Sequence, residues 1–337
     1  MRDSIRINNS SDLPKYKQII DSIINNIQHG KLKRGEQLPS IAALSSSQKT
    51  AKVTIAKAYD ILREQGLILS RHGKGFYVAS NEVKVKLNIF ILFDTFNAYK
   101  EILYSAFKEA LPSNTHCSIF FHHYDITLFK NLIKNNIGKY NYYVIMPHFD
   151  EDVSKIINLI PKEKLLLIDK DVANLKGDHA AVYQDFEIDV FNALKQGLQL
   201  LKKYKSLQLI VGREHFQYVP SAILKGFTKF CKKHAIHAAI QENLVEKNIK
   251  QHYAYLIFSD SDLIRFIKFC NSKKWKLGKD VGLISYDDTP MKEILLNGVT
   301  VISTDFRKMG LKAAELILEK RKEKIANSAG MIIMKTL

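Results

Sequence analysis

Apolar positions along the chain change their period once, near residue 80. Before that point Ile19, Ile20, Ile23, Ile24 and Ile27 recur at helical spacing and define one buried stripe. Pro14 stands near the start of this helix, where its missing N–H costs nothing, and Gly30 follows its end. The link 31–37 carries a turn at Arg34-Gly35. Ser40, after Pro39, is the expected N-cap of a short helix running to Leu44. Thr50 is the candidate cap of a longer one, with Val53, Ile55, Ala58, Ile61 and Leu62 facing inward and Gly66 as its stop. Two short strands, 67–70 and 76–79, flank the glycines of Arg71-His72-Gly73-Lys74-Gly75.

Short helix, turn, longer helix and two-stranded wing make a winged helix-turn-helix, which lays one helix in a DNA major groove. Beyond a short polar linker at 81–86 the pattern becomes continuous apolar runs separated by helix-length segments. Strands are expected near 87–93, 117–121, 142–146, 165–169, 180–183, 207–211, 255–259, 282–285 and 299–303. Helices are expected over 97–111, 127–136, 186–203, 220–234, 262–273 and 306–322. Alternation of this kind predicts an α/β fold with doubly wound parallel sheets, and 87–337 is long enough for two lobes. In such sheets ligands sit beyond the carboxyl ends of the strands.

Composition changes the picture little, except through charge. The 337 residues carry a net charge of +17, which suits a polyanionic partner. Residues 1–80 hold 13 basic against 6 acidic side chains, about twice the net charge density of the remainder, which places that partner at the N-terminal module. The apolar runs are too short to span a bilayer and the N-terminus has no apolar signal core, so a cytoplasmic protein without a membrane partner is expected. Cys117, Cys231 and Cys270 are odd in number and widely spaced, which suits reduced thiols. No cofactor or metal is expected. His122 and His123 alternate across a strand and so face opposite sides. Asp287-Asp288 are adjacent on a loop, where two carboxylates normally point apart.

The N-terminal landmarks come in a recognisable order: Tyr16-Lys17-Gln18-Ile19, Gly30, Gly35, Leu38-Pro39-Ser40, Thr54, Gly66 and Gly73-Lys74-Gly75-Phe76-Tyr77-Val78. Over roughly 12–79 this resembles the DNA-binding domain of the GntR family of bacterial transcription regulators, here assigned to 1–80. The resemblance implies phosphate contacts from Ser40, Lys49, Lys57 and Arg71, base contacts from Lys52 and Thr54, and close approach of the wing through Gly73, Lys74 and Gly75. The family places an arginine in the helix after the Leu-Pro-Ser triplet and another at the start of the recognition helix. Here these positions are Ala42 and Lys52, so one bidentate guanine contact is lost and the other is weakened to a point charge.

The second half resembles the sugar-binding core of the LacI family and of periplasmic sugar-binding proteins. The carrying residues are Ile168-Asp169-Lys170, Val182-Tyr183-Gln184-Asp185, Gly226-Phe227, Ile257-Phe258-Ser259-Asp260-Ser261-Asp262, Ile284-Ser285-Tyr286-Asp287-Asp288 and 301–310. The resemblance implies a ligand cleft with Phe96, Asn97, Tyr99, Asp169, Lys170, Gln184 and Asp185 from one lobe and Ser221, Asp262, Asp287 and Thr304 from the other. Carboxylates and amides would bind sugar hydroxyls, and an aromatic face would cover the apolar side of a pyranose. A sugar-binding arginine common in the family falls at Ile223, and a less polar patch there suits a deoxyhexose or a pentose. Asp94, Asp169, Asp185 and Asp262 also have a plainer reading as helix caps, favoured for any one of them and compatible with ligand binding.

Together these readings predict a homodimeric regulator on double-stranded operator DNA, with a small sugar or sugar phosphate as effector. The LacI-type resemblance implies helices 97–111 and 127–136 as the dimer contacts. Repression relieved by sugar is preferred over sugar-dependent activation. An effector-less DNA-binding protein and an enzyme are the rivals, although no Schiff-base motif, nucleophile elbow or metal-ligand spacing supports the latter.

Overall fold

The isoleucine stripe of residues 19–27 does become one face of a helix. In a computed structural model, residues 5, 7–8, 13–80, 87–212 and 218–337 are described, and the expected linker 81–86 lies outside them. Two compact units divide the chain. The first is Met1–Asn88 with Asn114–His116 and Lys134–Asn141; the second holds Ile89–Ser113, Cys117–Ile133 and Tyr142–Leu337.

In the first unit, α1 (Lys15–Gln28) begins after Pro14 and buries all five isoleucines. Helix α2 (Ile41–Ser47) starts on Ser40, whose Oγ accepts from the Ala43 amide at 3.1 Å. Helix α3 (Lys52–Glu64) packs Ile55, Ala58, Tyr59 and Leu62 against α1 and α2. Strands β1 (Ile68–Arg71) and β2 (Gly75–Val78) pair antiparallel, with Arg71 opposite Gly75. Gly73 and Gly75 turn the wing at φ of 69° and 96°, a left-handed region that a side chain would disfavour.

Two expectations for α3 fail. Thr50 does not cap it: Ala51 occupies the N-cap, and the Thr50 hydroxyl donates back to the Gln48 carbonyl at 3.0 Å. Val53 is 79% exposed. It lies two residues before Ile55, about 200° around the helix from the buried face.

The second unit has two lobes of like design. In lobe 1, β3 (Asn88–Phe93), α4 (Ala98–Ala110), β4 (His116–Phe121), α5 (Ile126–Asn136), β5 (Tyr142–Ile145), α6 (Ser154–Ile157), β6 (Leu165–Asp169) and β7 (Ala180–Tyr183) follow in turn. Lobe 2 continues with α7 (Phe186–Gln196), α8 (Leu198–Leu201), β8 (Ser206–Ile210), α9 (Ser221–Lys233), β9 (Ala238–Gln241), β10 (Tyr253–Ile257), α10 (Asp260–Ser272), β11 (Gly282–Tyr286), α11 (Pro290–Ile294) and β12 (Thr300–Ser303). Helix α12 (Phe306–Leu318) and β13 (Lys324–Ala326) return to lobe 1, and β14 (Gly330–Ile332) ends in lobe 2.

The sheet orders are β13-β7-β6-β5-β3-β4 and β14-β12-β11-β10-β8-β9. Each therefore turns back at its first strand, and the crevice opens between the carboxyl ends of β3 and β5 and of β8 and β10. Strands β9, β13 and β14 were not expected. They are three or four residues long, and most of their side chains stay at least partly exposed, so they lack the apolar runs that marked the others. The helix expected over 186–203 is broken at Gly197, where a Cβ would come within 2.5 Å of Met331 Sδ.

Glycines also set the distance between paired helices. A Cβ on Gly226 of α9 would meet the Glu187 carbonyl of α7 at 2.4 Å. One on Gly310 of α12 would meet the Leu103 carbonyl of α4 at 2.3 Å. The three cysteines are free, and burial pushes the thiols of Cys231 and Cys270 up to about 12.

Candidate functional site

The strand ends of the two lobes line a pocket, and an adjoining chamber opens toward Phe96, Ser259 and Lys292. Asp94, at the end of β3, lies on its floor and is buried. Its carboxylate accepts from Lys100 Nζ and lies 2.8 Å from His148 Nδ1. The other imidazole nitrogen lies 3.0 Å from Asp169 Oδ2. Asp169 also accepts from Gln184 Nε2 at 2.6 Å and from the Tyr99 hydroxyl at 3.4 Å. One connected set of side chains thus links β3, α4, β5, β6 and β7.

Electrostatics follow from this wiring. Burial alone would raise Asp94, but His148 and Lys100 outweigh it and hold the carboxyl well below the usual range. Burial also pulls His148 toward neutrality, yet the Asp94 and Asp169 carboxylates prevail and raise its pKa. Asp287 differs. Burial dominates there and lifts it to about 7, against the opposing pull of Lys292. Its carboxylate makes no hydrogen bond among the described residues, and its backbone sits at φ 60°.

Aromatic rings close the walls. Tyr218 stacks on His148 at 5.1 Å between centroids, and Phe258 on Tyr286 at 4.5 Å. The Tyr218 hydroxyl accepts from Lys170 Nζ at 2.8 Å and donates to Asp150 Oδ1 at 2.9 Å, fastening the approach to α9 in lobe 2 to lobe 1. Ile223 on α9 faces the cavity and is 1% exposed. The Gln184 Oε1 and Tyr286 Oη atoms, on side chains 5% and 4% exposed, have no hydrogen-bond partner among the described residues.

Of the residues singled out in the sequence, Asn97, Tyr99, Asp169, Gln184 and Asp287 line this cavity, and Phe96 lies exposed in the adjoining chamber. Asn97 also caps α4, accepting from the Lys100 amide at 3.3 Å. Lys170 reaches the wall only through Tyr218. The other four lie elsewhere. Asp185 is an exposed cap, accepting from the Ile188 amide at 3.2 Å, and Ser221 is exposed at the start of α9. Asp262 is buried against Arg265, 3.1 Å away. Thr304 is tied to the crossing between lobes, donating to the Asn327 carbonyl at 2.6 Å and accepting from Asn327 Nδ2 at 2.7 Å.

Sequence reading missed Asp94, Lys100, Tyr124, His148, Tyr218 and Tyr286 as wall residues. Asp94 carried a usable signal, an aspartate ending the first strand of a doubly wound sheet, but was read as a cap. Asn97 fills that role instead. His148, six residues before the α6 turn, had no local pattern at all.

On the first unit, Ser40 is exposed and capping, Lys49 stands at φ 46° in the turn, and Lys52 is exposed on the first turn of α3. Thr54 is half-buried on the next part of that turn. The Lys57 ammonium lies 4.3 Å over the Tyr16 ring, and the Arg71 guanidinium 4.7 Å over the Tyr77 ring. Lys74 sits at the exposed wing tip, between Gly73 and Gly75. A helix end, its preceding turn and a basic wing are therefore present on one small unit, a combination suited to a major groove and its flanking phosphates.

Comparison with known proteins agrees with both units. The family described as bacterial regulatory proteins, gntR family, matches residues 15–78, and the periplasmic binding protein-like domain matches residues 202–336. The mannosyl-D-glycerate transport/metabolism system repressor MngR of Escherichia coli is 39% identical over 79 residues, 23% of this chain and 32% of that protein. The repressor YtrA of Bacillus subtilis is 34% identical over 77 residues, 23% of this chain and 59% of that one. The chain thus matches between about a third and three fifths of these relatives' length. A dimeric Lac repressor structure superposes with a TM-score of 0.62 at 15% identity, over 74% of this chain and 98% of that chain. The Escherichia coli trehalose repressor does so with 0.61 at 14% identity, over 73% and 100%. At such identity the likeness is one of fold.

Proposed function

We propose that this chain, a GntR-type winged helix-turn-helix joined to a periplasmic-binding-protein-like domain, is an operator-binding transcription repressor released by a small carbohydrate. One observation carries the reading. A DNA-binding unit shares a chain with a cavity whose buried walls present unpartnered polar atoms, on Gln184 and Tyr286. Such atoms cost free energy until a ligand or water pairs with them. Carbohydrate is the class best matched to carboxylate, amide and aromatic walls, and the two relatives described above are both repressors. A ligand that binds one arrangement of the lobes more tightly shifts the population toward it, and that shift is what the DNA-binding unit would sense. A homodimer acting on a pseudo-palindromic site fits this scheme.

Within the scheme Lys52 and Thr54 read bases, while Ser40, Lys49, Lys57, Arg71 and the wing tip hold phosphates. Asn97, Tyr99, Asp169, Gln184 and Asp287 hold the effector, with Asp94, His148 and Tyr218 added from the cavity walls. The test is to select operator DNA from a random library with the full chain, then titrate sugars into the complex by fluorescence anisotropy. Repression with induction predicts that one sugar weakens binding. A sugar that tightens it makes the protein an activator or a co-repressed regulator, and loss of all specific selection removes the reading.

A further inference from the structure

The cleft has more acceptors than free donors. Lys100 and His148 are committed to Asp94, and the second His148 nitrogen lies 3.0 Å from Asp169 Oδ2, an ion-pair contact without hydrogen-bond geometry. Lys292, buried beside the adjoining chamber, donates to the main-chain oxygens of Tyr286 and Asp287 at 2.6 and 2.9 Å and pairs with Asp260 at 3.0 Å. Every cation lining the cleft among the described residues is therefore already bound to a protein oxygen. Asp287 is not matched in this way. Its amide donates to the Ile302 carbonyl at 2.9 Å, but its carboxylate receives no hydrogen bond among the described residues.

Among the other unpartnered atoms around the cleft, the Thr289 hydroxyl can donate or accept. Gln184 uses its amide nitrogen on Asp169, so its free Oε1 can only accept. The Tyr286 hydroxyl can accept or donate, and its ring with those of Phe258 and Tyr218 gives the cavity π-faces.

From this arrangement we propose that the effector is a sugar-sized molecule carrying a protonated amine, its ammonium group seated on the Asp287 carboxylate against the aromatic wall, and that phosphorylated sugars are excluded. The proposal rests on the reading of this cleft as an effector site and deepens it. A half-buried carboxylate that faces the cleft without donors leaves its charge uncompensated, and an ammonium supplies opposite charge and three N–H groups at once. Aromatic faces attract the same cation, by about 0.5–2 kcal/mol. A phosphate would meet Asp287 and Asp169 with no uncommitted cation to offset them, a like-charge contact that selects against it. Burial raises the Asp287 carboxyl to about 7, and a bound ammonium would hold it ionised.

The experiment uses the full chain at pH 7, with thermal melts and calorimetric titration. The probes are D-glucosamine, D-galactosamine and D-mannosamine, the neutral parents glucose, galactose and mannose, and the parents' 6-phosphates. The expected result is one amino sugar binding at least about tenfold more tightly than its parent, with no response to the phosphates. Asp287→Asn should erase that preference, while Asp288→Asn, which leaves the Asp287 carboxylate in place, should keep it. Where Asp287→Asn does not fold, Asp287→Glu displaces the carboxylate by a methylene and should lose the preference instead. Equal or tighter binding of a neutral parent overturns the amine but leaves a carbohydrate effector standing. Binding of a 6-phosphate, or a preference that survives at Asp287→Asn, also overturns it. No response to any amino sugar does so as well, and silence of the neutral sugars besides counts against the effector reading itself.

Discussion

The carboxylates of Asp94 and Asp169, on different strands of lobe 1, are joined through the two nitrogens of one imidazole. His148 lies 2.8 Å from the first and 3.0 Å from the second. His148 therefore folds with a raised pKa. Its contribution is fully present below the ordinary imidazole value of 6.5 and is lost as pH rises through the folded value. Asp94, held low, behaves oppositely. Its contribution is present above 3.8 and lost as pH falls. Asp287, raised to about 7, removes stability as it ionises between 3.8 and that value. Urea unfolding should therefore give a midpoint that declines from about pH 5 to pH 8. His148→Gln should flatten this decline and lower stability at pH 5 by about 3–5 kcal/mol, the usual cost of breaking a buried ion pair.

Tyr218 fastens the two lobes by its hydroxyl, between Lys170 and Asp150. Tyr218→Phe keeps the stacking on His148 and removes both bonds. Effector affinity should fall by about 1–3 kcal/mol, the cost of leaving charged groups without a partner, with the melting temperature less affected. Calorimetric titration of the effector against wild type and variant measures it. An unchanged affinity would mean that the clasp plays no part in closure.

Gly226 and Gly310 stand at equivalent helix contacts in the two lobes. Alanine at either forces a Cβ into a main-chain carbonyl at 2.4 or 2.3 Å, so the helices must part. Each substitution should cost about 1–3 kcal/mol, read by chemical denaturation.

On the selected operator, Arg71→Ala should weaken binding of all sequences alike and reduce the slope of log affinity against log salt by about 1. Lys52→Ala should relax preference at one base pair, worth about 1–3 kcal/mol. Val53, exposed beside Lys52 on the same helix turn, presents methyl groups where a thymine methyl can pack. Replacing the contacted thymine by uracil should weaken wild type and leave Val53→Ala indifferent. An equal loss in both would exclude the contact.

What was legible in the sequence is what local chemistry decides. Period and punctuation sufficed for α1, α2, the wing and the long parallel strands, because an apolar stripe and a capping serine act over a few residues. The GntR-type landmarks were equally local. The failures have physical causes of other kinds. Thr50 stands one residue before the N-cap, which Ala51 takes, and its hydroxyl donates to the Gln48 carbonyl. Strands β9, β13 and β14 were too short and too exposed to leave a period.

The candidate site was legible only in part, and for the same reason. Asp169, Gln184 and Asp287 follow strands within recognisable motifs, so they could be named in advance. Whether Asp185 or Asp94 was the cap depended on which side chain reached an amide, and Asn97 settled that for α4. His148 reaches across from β5 to two other strands, and Thr304 turns toward a crossing 23 residues away. The sequence by itself determined the elements, their order and the nature of the DNA-binding unit, since these depend on interactions between near neighbours. Which carboxylates were neutralised and which one, Asp287, was left facing the cavity was decided only when the sheets brought distant strand ends together. Charge pairing acts through space, and spacing along the chain does not encode it.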